Sequence, residues 1–70
     1  MNSRQRRLIA RKQKAITLNF PIGCTVYVPG EPTMAGTWEV YGYYNMMVSI
    51  RREGMQLGYH TDPENLVRLG

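Results

Sequence analysis

Thr37-Trp38-Glu39-Val40-Tyr41-Gly42-Tyr43-Tyr44 changes character with a period of two. On an extended backbone Trp38, Val40, Gly42 and Tyr44 share one side and Glu39, Tyr41 and Tyr43 the other, the pattern of a half-buried strand. Glycine inside such a run suits a sharp bend. Toward the C-terminus, Asn45 marks a turn or bulge, and Met46, Val48 and Ile50 then alternate with Met47, Ser49 and Arg51 as another strand. Arg52-Glu53-Gly54 has the length and the glycine of a tight hairpin turn. Residues 56–60 follow as a strand with Leu57 and Tyr59 in register. Asp62-Pro63-Glu64-Asn65 predicts one helical turn, because proline suits the first position and aspartate caps it. Residues 66–69 close the chain as a short last strand. Toward the N-terminus, Cys24, Val26 and Val28 alternate with Thr25 and Tyr27, Pro29-Gly30-Glu31-Pro32 ends that strand, and a polar loop runs through Thr33 to Gly36. Five short strands with a turn signal at nearly every junction predict an all-β fold, a small five-stranded barrel, closed or nearly so.

Residues 3–16 have a different character. Arg, Gln, Leu, Ala and Lys dominate, with no Gly or Pro, so they predict a helix with Ser3 as its cap. Arg4, Arg7, Arg11 and Lys14 fall on one narrow stripe at about 100° per residue. Leu8, Ile9, Ala15 and Ile16 lie beside it with Lys12 among them, a thin apolar face that leaves the helix weak unless it docks or meets a ligand. Pro21-Ile22-Gly23 closes this segment. The chain thus divides into a basic arm over residues 1–18, helical or disordered when free, and a barrel over residues 19–70.

The net charge of +4 follows the same division. Arg4, Arg6, Arg7, Arg11, Lys12 and Lys14 stand without an acidic residue in the first thirty positions, a charge of +6. The remainder sets Arg51, Arg52 and Arg68 against Glu31, Glu39, Glu53, Asp62 and Glu64, a charge of −2. A cationic arm on a slightly acidic body is the asymmetry expected of a protein that meets a polyanion. The single cysteine, Cys24, excludes an intrachain disulfide and fits a reducing compartment. Leu8-Ile9-Ala10 is too short for a secretory apolar core, and no run approaches membrane-spanning length, so a cytoplasmic protein without membrane contact is expected. Seventy residues bury a modest core, which points to a monomer of marginal stability or one aided by weak self-association.

Gly23-x-x-Val26-x-Val28-x-Gly30, Gly36-x-Trp38-x-Val40 and Pro63-Glu64-Asn65-Leu66-Val67 resemble, in that order, the SH3-like barrel superfamily with its KOW- and Tudor-type modules. The resemblance covers residues 22–69 and implies a binding domain without naming its ligand. The acidic-aromatic run with which eukaryotic SH3 domains take proline-rich peptides is missing. Ser3-Arg4-Gln5-Arg6-Arg7-x-x-Ala10-Arg11-Lys12-Gln13 is similar to the arginine-rich RNA-binding helices of lambdoid phage antitermination proteins, and such openings resemble those of small phage and prophage proteins. The tryptophan strand, the Gly-Tyr pair and the Leu-Arg-Leu-like end also resemble the type II dihydrofolate reductases. Their pore motif Val-Gln-Ile-Tyr would fall at Leu57-Gly58-Tyr59-His60, where glycine replaces the glutamine, so the pore chemistry is not carried over.

The expected function is therefore binding without catalysis, by a nucleic-acid-associated accessory protein. Arg4, Arg6, Arg7, Arg11, Lys12 and Lys14 would contact phosphate, DNA and RNA standing equal, with Tyr41, Tyr43 and Arg51 as secondary contacts through stacking. The alternative is a protein-interaction module acting on a host protein or polymerase complex, through exposed tyrosines and methionines. One histidine, one cysteine and scattered carboxylates without CxxC, HxH or HExxH spacing predict no metal and no cofactor. His60 has no evident nucleophile or paired carboxylate beside it. Cys24 reads as a small buried hydrophobe.

Overall fold

The computed structural model describes residues 2–70. A helix, α1 (Ser3–Asn19), is followed by five strands: β1 (Thr25–Tyr27), β2 (Thr37–Tyr44), β3 (Met47–Arg51), β4 (Tyr59–Thr61) and β5 (Val67–Arg68). The strands form one antiparallel sheet in the order β4-β3-β2-β1-β5. Single 3₁₀ turns at Pro32–Met34 and Pro63–Asn65 punctuate the connections.

The all-β five-stranded barrel expected from the sequence is corrected here: the fold is α+β and the sheet does not close. β4 and β5 are its two edges, with no ladder between them. The reason lies in lengths. The edge strands are three and two residues long, too short to curl the sheet round on itself, and the helix seals one side of the core instead. A capping box starts α1: the Asn2 side chain accepts from the Gln5 amide at 2.9 Å while the Gln5 side chain accepts from the Asn2 amide at 3.3 Å. The cap is thus Asn2, one residue before the expected Ser3. At the other end the Phe20 amide donates to the Ile16 carbonyl at 2.9 Å and Pro21 cannot continue the helix. Ile16 and Phe20 join Cys24, Val26, Trp38, Val40, Val48, Ile50 and Leu66 in the core. The sheet alone would leave this inner face wet; burying two large helix-end side chains is what orders the arm.

β2 and β3 form a hairpin through Asn45 and Met46, both at positive φ (47° and 64°), the backbone of a two-residue type I′ turn. Met46 is an unusual residue at such an angle. Its side chain packs on the core, which holds the turn in place. Further along β2 the register slips: Val40 faces Ile50 and Gly42 faces Ser49, leaving Tyr41 as the extra residue of a bulge. Side chains after the bulge change faces. Tyr43, expected outside, packs against the core, and Tyr44, expected with Trp38, is 56 % exposed.

The β3–β4 connection is longer than the expected tight hairpin. The Met55 amide donates to the Arg52 carbonyl at 3.1 Å, and residues 56–58 follow as a loop in which Leu57 is exposed rather than in register with Tyr59. Gly58 closes that loop so tightly that a β-carbon there would overlap the Ile50 carbonyl and the Tyr41 ring. Gly58→Ala is therefore expected to cost about 1–3 kcal/mol, the usual penalty of overpacking. Urea denaturation reads this directly; an unchanged midpoint would mean the loop relaxes freely.

Candidate nucleic-acid interface

α1 has 17 residues, about 25 Å of helix at 1.5 Å per residue, in a molecule measuring 41 × 24 × 20 Å. Ile16 is its one buried residue. The helix is thus held by its last turn and projects from the sheet. At about 100° per residue, Arg4, Arg7, Arg11 and Lys14 lie within about 80° of one another and about 120–180° from Ile16. Docking the Ile16 side against the sheet turns this stripe away from the body.

Arg4, Arg6, Arg7, Arg11, Lys12 and Lys14 are all exposed. Their positions differ all the same. Arg6 sits on the flank, and Lys12 lies on the docking side, lining a groove of about 280 Å³ with Ile16, Met46, Asp62 and Glu64. Its charge therefore faces the body's own carboxylates across the groove. No acidic residue stands on the helix. Among the described residues the one ion pair is Arg51 Nη2 to Glu39 Oε1 at 3.8 Å, both side chains half exposed, a contact of little energetic weight. Among the described residues no carboxylate thus lies within ion-pair distance of the stripe's charges.

The three secondary residues separate. Tyr41 is half-buried on the outer face of the sheet, with the Arg51 guanidinium 5.2 Å from its ring centre. Tyr43 is not beside them: its hydroxyl donates to the Phe20 carbonyl at 2.6 Å, locking the helix terminus to β2. Loss of solvent pushes the Tyr43 phenol above its ordinary pKa, and the neighbouring Cys24 adds to the effect. The Cys24 thiol is itself raised, chiefly by burial.

The sign of the Tyr43 effect sets an alkaline limit. A phenol that holds its proton more tightly when folded contributes its full stabilisation below the unfolded value of 10.0 and loses it as pH rises toward the folded one. Tyr43→Phe is expected to cost about 1 kcal/mol at neutral pH, through the orphaned Phe20 carbonyl, and to flatten the fall in stability above that value. Urea titrations at neutral and strongly alkaline pH check both; parallel curves for the two proteins would contradict the linkage.

Two outer-face residues escaped the reading of the sequence. Tyr44, turned out by the bulge, stacks on His60 with ring centres 4.8 Å apart at 28°. His60 is not without a hydroxyl: its Nδ1 lies 2.8 Å from Ser49 Oγ. Ser49 is only 2 % exposed, too enclosed to attack a substrate, so this contact orients the imidazole. Gly42 within the strand was the local hint of a bulge; the slip itself shows only in the pairing of β2 with β3.

Arg52 makes a separate arrangement. Its guanidinium lies 3.8 Å from the Trp38 ring centre and its Nε donates to the Thr37 carbonyl at 3.1 Å. This cation covers the core tryptophan, whose own Nε1 donates to the Met34 carbonyl at 3.1 Å. Among the described residues no three His, Cys, Asp or Glu side chains gather to hold a metal ion, and no helix is long and apolar enough to cross a membrane.

Compared with protein-family models, curated proteins and solved structures, the chain matches none.

Proposed function

We propose that this protein is a non-enzymatic nucleic-acid-binding module that presents a rigid cationic helix to the phosphate backbone. One observation carries the reading: the Arg4, Arg7, Arg11 and Lys14 stripe lies opposite the buried Ile16, so the contact that orders the helix also aims its charge outward. A stripe fixed on a docked helix loses less conformational freedom on binding than a disordered basic tail would. Guanidinium groups dominate it, and their planar forks suit phosphate oxygens.

The test is fluorescence anisotropy of labelled oligonucleotides titrated with the full chain over a range of salt. Four phosphate contacts give a slope of log Kobs against log salt of about −2.8 on single strands and about −3.6 on duplex DNA. Absence of binding at low salt, to single strands and duplexes of DNA and RNA alike, would refute the proposal.

A further inference from the structure

The bulge in β2 assembles an aromatic surface that the basic helix alone does not need. Tyr41 and Tyr44 both leave the core side of the sheet there, and each meets a cationic or titratable partner: Arg51 over Tyr41 at 5.2 Å and His60 stacked on Tyr44 at 4.8 Å. Gly42 stands between the two tyrosines in the chain, and a β-carbon on it would meet no atom within 4 Å. The sheet therefore has a bare floor at Gly42, beside two pairs of flat side chains. Two features fix those pairs. Ser49 Oγ holds His60 Nδ1 at 2.8 Å, and the missing side chain of Gly58 lets the Tyr41 ring lie against the β3–β4 loop.

We propose that this face, formed by Tyr41, Tyr44, Arg51 and His60 around Gly42, stacks the bases of a single-stranded nucleic acid whose backbone is held by α1. The inference rests on the reading of the helix as a phosphate-binding element and adds which form of nucleic acid is preferred. Flat aromatic faces and a guanidinium recognise unpaired bases, which a duplex keeps stacked on each other. Position favours the same ligand. A groove of about 280 Å³ runs between α1 and the β2–β3 hairpin, lined by Gln13 and Thr17 on the helix and by Tyr44 and Met47 on the sheet. It joins the flank of the helix to the Tyr44 end of the face, and Thr17 on that flank lies about 60° round the helix from Lys14, so a strand that curves round this flank can contact both. From Met47 to Arg51 the face runs about 13 Å along β3, room for two or three stacked bases.

The experiment compares the full chain with Tyr44→Ala, His60→Ala and Gly42→Leu, the last filling the open floor without touching a charge. Each is titrated against oligo(dT), oligo(rU) and a duplex of equal length at one salt concentration, after circular dichroism confirms the fold. The proposal expects the wild-type protein to prefer the single strands. Each variant should lose about fivefold or more on them, with duplex affinity and salt slope unchanged. The oligo(dT) and oligo(rU) arms decide between DNA and RNA as the source of the strand. Single-strand affinity unchanged in all three variants, or lost equally with the duplex, overturns this inference while leaving the helix reading intact. Failure of the wild-type protein to bind any of the three ligands overturns both.

Discussion

Replacing Arg4, Arg7, Arg11 and Lys14 together by glutamine is expected to lower affinity for nucleic acid by about two orders of magnitude at low salt and to flatten the salt dependence. The fold should survive, because all four side chains are exposed and glutamine is a good helix former. The paired control is Arg6→Gln with Lys12→Gln. It removes half as many charges, one from the flank and one that faces Asp62 and Glu64 across the groove, so its loss should be much less than half in logarithmic terms. Equal loss per charge in both sets would mean that net charge alone attracts the ligand and that the helix orientation is irrelevant. Anisotropy titrations of the two variants separate these cases.

Ile50→Ala is expected to unfold a substantial fraction of the molecules at 25 °C. Ile50 is fully buried at the middle of the sheet, opposite Val40 on β2 and Tyr59 on β4. Truncating such a residue costs about 2–5 kcal/mol, and a core of this size supplies only about 3–5 kcal/mol in total. The loss is therefore comparable with the whole stability. Leu57→Ala should change stability by less than about 0.5 kcal/mol, because its side chain is 82 % exposed. Thermal melts of the two variants give the contrast. A cooperative transition for Ile50→Ala at the wild-type temperature would show that the core lies elsewhere.

How much of this was legible in the chain depended on how local each determinant is. β2, the helical turn at Pro63–Asn65 and the helical arm follow from periodicity and capping chemistry, which act within a few residues. Asp62 does cap the late turn, accepting from the Glu64 amide at 2.9 Å. Closure of the sheet was misjudged because it depends on edge-strand length, and β4 and β5 are shorter than their alternating patterns suggest. Leu57 fits the alternating pattern and still lies in a loop, since the glycines on either side of the Met55-Gln56-Leu57 segment set the path. The exchange between Tyr43 and Tyr44 has one cause. A single extra residue at Tyr41 reverses every side chain beyond it, and only the pairing with β3 shows that the residue is extra. The cationic stripe was visible from helical spacing alone. That it points away from the body was not, because this depends on which turn of the helix finds the sheet, and Ile16 with Phe20 decides that in three dimensions.

The direction of that helix and what it touches decide the proposed function. The most direct test is an amide-resolved NMR titration of the full chain with a short single-stranded oligonucleotide at low salt. Shift changes are expected along Arg4, Arg7, Arg11 and Lys14, extending to Tyr44 and His60, with the β1–β5 edge at Val67 and Arg68 undisturbed. Changes confined to that edge, or a helix segment whose amides show random-coil shifts before ligand is added, would contradict that function.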